Sequence, residues 1–239
     1  MKKTLSVTVI GNSVALRVRP VEPYPGNLNY FSLLSDAEFN KNSRTRNLNV
    51  LNLARGGNTI KSAFKDFDSY IRSFPDLFIL NFGVVDASTR EIPKWFFDMY
   101  NSTGQYWYNN LSRWVYNAII KKIRRPLVYL RGKRPWVGRK KYEFLYNLMI
   151  ERLLKETNAI IIGLPINTAD ERIEKALPGS RRNHLNYNQV MENALDRERC
   201  YFINLQEGLT ADDRPDGIHY SKSGHEKVAR RIIDLIEDL

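Results

Sequence analysis

Three residues from distant parts of the chain carry the side chains needed for nucleophilic attack on an ester. Ser13 lies just after the apolar run Leu5–Ile10, and Asp216 and His219 lie three positions apart before the last helical pattern. An aspartate at this spacing can accept a hydrogen bond from one imidazole nitrogen and leave the other free to act as a general base. The residue types therefore predict Ser13 as the nucleophile, His219 as the base and Asp216 as the group that orients it.

Ester hydrolysis also needs hydrogen-bond donors for the oxyanion that forms on the attacked carbonyl. The backbone N–H groups of Ser13 and Gly57 are the candidates, because a glycine permits the close approach and unusual dihedral angles of such a turn. Loops after the apolar runs supply the candidate substrate-binding residues Asn12, Asn58, Val85 and Asp86. For Asp86 a structural role is favoured, in which the carboxylate accepts hydrogen bonds from loop backbone and holds its loop in shape.

Short apolar runs alternating with helical patterns must position these residues. The runs that predict strands are Leu5–Ile10, Leu48–Leu53, Leu77–Phe82, Ala159–Leu164 and Cys200–Leu205. The patterns that predict helices are 29–39, 62–74, 111–122, 142–156, 186–195 and the segment after Ser221, whereas residues 14–20 alternate like a strand. The alternation predicts one α/β domain over 1–239, a three-layer sandwich with a five-stranded parallel sheet and helices on both faces. Ligands of such sheets bind beyond the carboxyl ends of the strands.

The composition also bears on which cofactors and which cellular location to expect. With one cysteine and three scattered histidines among 239 residues, the sequence offers no disulfide framework and no metal-ligand spacing, so neither a metal nor a cofactor is expected. Cys200 is expected to be buried, His184 to be a solvated loop residue, and His225 to pack against or cap the last helix. No signal peptide or membrane-spanning run is recognised, and the expected location is the cytoplasm.

The formal charge of +11 favours an anionic partner, and residues 90–157 form a basic, aromatic and largely helical insert. No acidic residue occurs between Asp98 and Glu143, whereas ten cations lie within 121–141 and tryptophans and tyrosines are interleaved with them. Single-stranded nucleic acid, an anionic bilayer surface and a glycan all suit this composition, and so does a solvated lid whose aromatic residues pack on the sheet. Because the insert follows the loop at Gly83, a substrate-binding cap is favoured over a nucleic-acid site. Peripheral association with the inner membrane through 121–141 is a further expectation.

Four blocks of this sequence resemble, in order and content, those of the SGNH (GDSL-type) hydrolase superfamily. The first is Gly-Asn-Ser at 11–13, where the family usually has aspartate in place of asparagine, and the second is the segment 52–59 ending in Gly-Asn-Thr. The third, Gly-Val-Val-Asp at 83–86, matches the family's Gly-x-Asn-Asp at three positions of four. The last is Asp-Gly-Ile-His at 216–219, followed by Gly-His at 224–225. The resemblance covers roughly 4–89 and 158–239 and implies a flavodoxin-like sheet.

Val85 is the departure that bears on activity. In the family the asparagine of the third block donates a side-chain hydrogen bond to the oxyanion, and a valine cannot donate. Loss of one such donor typically costs about 10²–10³ in rate. Either the backbone donors suffice, or Asn12 or Asn58 substitutes for the missing donor, or the domain has lost hydrolysis.

The resemblance implies a serine esterase that acts on an O-acyl ester, by analogy an ester on a carbohydrate or glycan intermediate. Together with the basic insert, it predicts an acylated and anionic glycan or sugar phosphate as the substrate. Two alternatives stay open. One is an O-acyltransferase of polysaccharide biosynthesis that uses the same triad, and the other is a non-catalytic basic module that binds nucleic acid or an anionic membrane.

Overall fold

The computed structural model describes residues 4–20, 29–36, 39, 48–102, 106–205 and 208–239. Within these ranges, five strands form one parallel sheet in the order β2-β1-β3-β4-β5. The strands are β1 Leu5–Gly11, β2 Leu48–Asn52, β3 Leu77–Asn81, β4 Ile160–Gly163 and β5 Cys200–Phe202. This is the flavodoxin-like strand order, and the predicted α/β class and parallel sheet are confirmed.

Helices connect the strands and cover both sides of the sheet. The α-helices in the described ranges are α1 Ser13–Leu16, α2 Tyr30–Ser35, α3 Ile60–Ala63, α4 Phe67–Ile71, α5 Val84–Ala87, α6 Lys94–Asn101, α7 Trp107–Val115, α8 Arg124–Leu130, α9 Arg139–Glu156, α10 Glu171–Ala176, α11 Ser180–Ala194 and α12 Lys222–Asp238. A 3-10 turn at Phe64–Asp66 precedes α4, and a π-helical turn at Tyr116–Ile120 follows α7. Among these helices, α2 packs against α12, and α9 packs against both α3 and α11.

The core lies between the sheet and these packed helices. Every residue of β3 is buried, as expected for a central parallel strand covered on both faces. On α12 the side chains of Val228, Ile232, Ile233 and Ile236 are buried at helical spacing. This packing holds the carboxyl ends of β1 and β3 in place, and the loops that follow these two strands carry Ser13 and Val85.

Several predicted elements differ from the structure in type or in limits. The strand pattern over 14–20 is wrong for its first half, because α1 occupies Ser13–Leu16. Asn12 caps this helix by accepting a hydrogen bond from the backbone N–H of Val14, a local interaction that outweighs the β-branched alternation. The single helix predicted over 62–74 is broken by the 3-10 turn, and residues 37 and 38 of the helix predicted over 29–39 lie outside the described residues.

The predicted insert 90–157 divides into two parts. The helix α9 belongs to the sandwich, because Tyr142, Tyr146, Met149, Ile150 and Leu153 are buried in the main core. The helices α6, α7 and α8, all fully described, contribute no residue to that core. None of the helices in the described ranges has the length and apolar character needed to span a bilayer.

Candidate active site

Ser13, His219 and Asp216 form one continuous chain of hydrogen bonds. Ser13 is the first residue of α1, directly beyond the carboxyl end of β1, and its Oγ lies 3.0 Å from Nε2 of His219. Nδ1 of the same imidazole lies 2.7 Å from Oδ2 of Asp216. Because the carboxylate accepts at Nδ1, Nε2 is left as the nitrogen that can accept the serine proton.

Asp216 is held in place by backbone as well as by the imidazole. Its Oδ1 accepts hydrogen bonds from the N–H groups of Ile218 at 3.0 Å and His219 at 2.7 Å, and Nε of Arg19 lies 3.4 Å from Oδ2. Burial alone would raise the pKa of Asp216, but the bonds from the His219 ring and backbone hold this pKa well below its ordinary value. The carboxylate is therefore ionised at neutral pH and can stabilise an imidazolium.

Gly57 faces the same cavity as Ser13, at the position predicted for an oxyanion donor. Its φ of +71° favours glycine, and a Cβ there would lie 3.3 Å from Cε1 of Phe97. The N–H of Ser13 is in the first turn of α1, where helical backbone donors have no acceptor within the helix. Ser13 and Gly57, the two predicted oxyanion donors, therefore both line this cavity.

The four predicted substrate-binding residues divide into two pairs. Asn58 and Val85 line the cavity, and Nδ2 of Asn58 lies 3.4 Å from the carbonyl oxygen of Gly11. The prediction for Asn12 needs correction, because its side chain is fully buried and caps α1, so it does not line the cavity. Of the two asparagines considered as substitutes for the missing donor, only Asn58 has access to the cavity.

Asp86 also lies behind the cavity wall, so its placement among the substrate-binding residues is corrected in the same way. Its Oδ1 accepts the N–H of Ile60 at 2.9 Å, which ties the third-block loop to the start of α3. Burial raises the pKa of Asp86 to about 7, although the bond from Ile60 opposes the shift. This is the loop-holding role that the sequence favours for Asp86.

The other two histidines are buried structural residues. His184 was expected to be a solvated loop residue, but it lies on the buried face of α11. Its Nδ1 lies 2.9 Å from the carbonyl oxygen of Asn167, and its Nε2 lies 2.9 Å from Oγ of Ser88. His225 packs as predicted, since its Nδ1 accepts the N–H of Tyr30 at 3.0 Å. Burial lowers the pKa of both imidazoles to about 4. In the described part of the chain, no cluster of His, Cys, Asp or Glu is arranged to hold a metal ion.

A cavity of about 600 Å³ opens in front of Ser13 and His219. Its wall is rich in cations and aromatic rings, and the residues that supply these are Arg17, Arg55, Arg90, Lys94, Phe97 and Trp136, with Asp98 as an acid. Lys94 and Phe97 lie on α6, so the predicted insert does reach the cavity. Arg90 was missed as a site residue; the only signal in the sequence is that it is the first cation after the third block.

The profile of the family "GDSL-like Lipase/Acylhydrolase" matches residues 8–232. The chain belongs to this family. Members of the GDSL-like family hydrolyse esters, and this chain is accordingly an ester-hydrolysing enzyme. A search of curated proteins found no match.

Solved structures share the fold of this GDSL-like chain at low sequence identity. A catalytic mutant of Axe2, an acetylxylan esterase from Geobacillus stearothermophilus, is 16% identical with a TM-score of 0.63, covering 99% of this chain and 95% of that chain. A lipase/acylhydrolase from Enterococcus faecalis is 15% identical with a TM-score of 0.64, and the match covers 100% of this chain and 96% of that chain. An α/β hydrolase from the metagenome of Lake Arreo, Spain, is 17% identical with a TM-score of 0.62, covering 98% and 95%.

Proposed function

We propose that this GDSL-like enzyme removes an O-acyl group from a carbohydrate, with Ser13 as the nucleophile. The observation that carries the proposal is the hydrogen-bonded chain from Ser13 through His219 to Asp216, which opens into a cavity shared with Gly57. A hydroxyl, an oriented imidazole and backbone donors in one place are the requirements of ester cleavage by covalent catalysis.

The reaction follows from this geometry in two halves. Ser13 Oγ attacks the ester carbonyl and passes its proton to Nε2 of His219, while the N–H groups of Ser13 and Gly57 stabilise the oxyanion. His219 then returns the proton to the departing sugar oxygen, leaving the acyl group on Ser13. A water molecule, deprotonated by His219, attacks the acyl-serine and releases the free acid.

The carbohydrate part of the proposal is supported by likeness and by the cavity wall. Axe2 is named as an acetylxylan esterase, and its catalytic mutants replace a serine, an aspartate and a histidine. The aspartate and histidine of Axe2 lie three positions apart, as Asp216 and His219 do here. Phe97 and Trp136 line the cavity, and aromatic side chains of this kind are common where sugars bind.

The test compares Ser13→Ala with Ser35→Ala, a control serine that is exposed on α2. On 4-nitrophenyl acetate and on acetylated xylo-oligosaccharides, Ser13→Ala is expected to lose about 10⁴-fold or more in kcat, while the control keeps the wild-type rate. Equal rates for Ser13→Ala and wild type refute the assignment of the nucleophile. Adding a deacylated glycan acceptor tests the transferase alternative, because transfer yields an acylated acceptor instead of free acetate.

A second candidate function, association with an anionic bilayer, is favoured by the orientation of α7. The buried residues of this helix are polar, Asn109 and Ser112, whereas Trp107 and Trp114 are 74% and 62% exposed. With the exposed Leu111, the tryptophans form an outward apolar stripe at i, i+4 and i+7. Tryptophan belongs at the membrane interface, and the exposed cations that follow, Lys121, Lys122 and Arg125, suit anionic lipid headgroups.

A further inference from the structure

Arg90 is a cation in the cavity wall that forms no ion pair among the described residues, although the carboxylates of Glu91 and Asp86 are near enough to act on its pKa. Its guanidinium carbon lies 4.2 Å from the ring centroid of Trp136, and its Nη2 donates a long hydrogen bond of 3.4 Å to the carbonyl oxygen of Val85. Its Nε is buried and makes no hydrogen bond. Among the described residues, no carboxylate oxygen lies within 4 Å of the guanidinium.

The neighbouring cations of the wall are arranged differently. Arg55 pairs with Asp66 at 2.8 Å, Lys94 pairs with Asp98 on α6, and Arg17 is exposed. Burial lowers the pKa of Arg90 to about 10, which reflects the cost of placing a charge where water is scarce. The Arg90 side chain is partly buried and its Nε is fully so. A cation removed from water is usually compensated by an anion, and among the described residues none lies at contact distance.

The Arg90 guanidinium is also fixed in orientation. The Trp136 ring beneath it is anchored by a hydrogen bond from its Nε1 to the carbonyl oxygen of Ile92, at 2.8 Å. Stacking on a ring leaves the in-plane N–H groups of a guanidinium available to other acceptors, and parallel N–H groups of this kind match the oxygens of a carboxylate or phosphate. Lys94 Nζ lies 5.6 Å from the same ring and adds positive charge beside it.

We propose that Arg90 binds an anionic group, a carboxylate or a phosphate ester, on the acylated sugar that occupies the cavity. The assignment rests on the proposed function, since Arg90 and Ser13 line one cavity. The anion would complete the contacts that the buried guanidinium lacks, and the enzyme would thereby select acidic sugar esters over neutral ones. Arg90 in this role sets specificity and takes no part in the bond-making steps.

The test is a kinetic comparison on matched acetyl esters: 4-nitrophenyl acetate, a methyl acetyl-xyloside, a methyl acetyl-glucuronoside and an acetylated sugar phosphate. Arg90→Gln is expected to lower kcat/KM on the acidic sugars by about 30- to 100-fold, mostly through KM, and by less than about threefold on the other two. The two acidic substrates distinguish a carboxylate from a phosphate. Arg182→Gln on α11 is the control, because it removes the same charge from an exposed position outside the cavity wall.

Equal losses on neutral and acidic substrates would overturn the proposal, because they indicate that Arg90 supports the loop at Val85 instead of the substrate. A wild type without preference for the acidic esters would overturn it too. Arg90→Lys keeps the positive charge but lacks the planar guanidinium, so its kcat/KM on the acidic sugars is expected to lie between those of wild type and Arg90→Gln. If Arg90→Gln does not fold, Arg90→Lys provides the same comparison.

Binding separates this proposal from the proposed function. Calorimetric titration of methyl glucuronoside and of a sugar phosphate into Ser13→Ala protein measures anion recognition without hydrolysis. Affinity that falls at least about tenfold when Arg90→Gln is added supports the anion site, even if ester cleavage proves absent. Unchanged affinity refutes the anion site, even if the enzyme cleaves esters as proposed.

Discussion

Asp86 carries a carboxylate that is fully buried behind the catalytic loops, and its removal has a calculable effect on stability. Its Oδ1 accepts the N–H of Ile60, whereas its Oδ2 has no hydrogen-bond partner. Burial raises its pKa to about 7 from an ordinary value of 3.8. The folded protein therefore binds a proton at Asp86 more tightly than the unfolded chain does.

The sign and size of the effect follow from proton linkage. Because the folded-state pKa is the higher one, the stabilising contribution of the protonated carboxyl is complete below about pH 4 and is lost as the pH rises to about 7. A difference of about three pKa units corresponds to about 4 kcal/mol. In Asp86→Asn the amide oxygen still accepts the N–H of Ile60, but the side chain no longer titrates. The buried amide N–H₂ lacks an acceptor, which lowers the free energy of unfolding by about 1–3 kcal/mol at every pH.

The assay is urea unfolding of wild type and Asp86→Asn at pH steps between 4 and 8. His184 and His225, whose pKa values are lowered by burial to about 4, titrate equally in both proteins and cancel in the difference. We expect the free energy of unfolding of the variant to rise relative to wild type by up to about 4 kcal/mol between pH 4 and 7, and then to level off. A difference that stays constant over this range refutes a raised pKa for Asp86.

Three further changes test the site and the insert. Asp216→Asn is expected to lower kcat by about 10⁴-fold, because His219 loses the acceptor that fixes its tautomer; a loss below tenfold contradicts the orienting role. Val85→Asn puts a side-chain donor in the cavity wall and is expected to raise kcat by about 10- to 100-fold, so an unchanged kcat in a folded variant would show that the backbone donors already suffice. The double variant Trp107→Ser/Trp114→Ser is expected to bind phosphatidylglycerol vesicles about tenfold more weakly than wild type in flotation assays, with phosphatidylcholine vesicles and single-stranded oligonucleotides as controls. Equal binding by wild type and the double variant would show that the α7 stripe does not bind membranes.

The strands could be located from sequence because a buried parallel strand is a nearly continuous apolar run, as β3 is over residues 77–80. Helix limits were less accurate because they depend on local capping. The hydroxyl of Thr59 caps α3 by accepting the N–H of Ser62, so helical structure begins at Ile60, before the first residue of the helix predicted over 62–74. For His184 the polar neighbours suggested solvent, yet positions 184, 187, 188 and 191 lie on one buried face of α11, a spacing that could have revealed it.

The chain of Ser13, His219 and Asp216 could be predicted because parallel strands bring their carboxyl-end loops to one edge of the sheet. The contact between Arg90 and Trp136 could not. It depends on how α6, α7 and α8 fold back, and the bond that fixes Trp136 to Ile92 spans 44 residues without a periodic pattern. Non-local packing of this kind leaves no trace in the order of apolar residues, so the stacking of Arg90 on Trp136 in the cavity wall became visible only in three dimensions.

Ser13 and His219 lie 206 positions apart, and the hydrogen bond that the Tyr30 N–H donates to His225 joins the same two regions. During synthesis, the chain up to β5 holds every strand of the sheet and the serine, but not the base that activates it. Hydrolytic competence therefore begins only after the last helix has emerged and docked, and contacts of such long range form slowly. A ribosome-bound intermediate that lacks the segment after β5 would carry the Ser13 hydroxyl without its hydrogen-bonded imidazole.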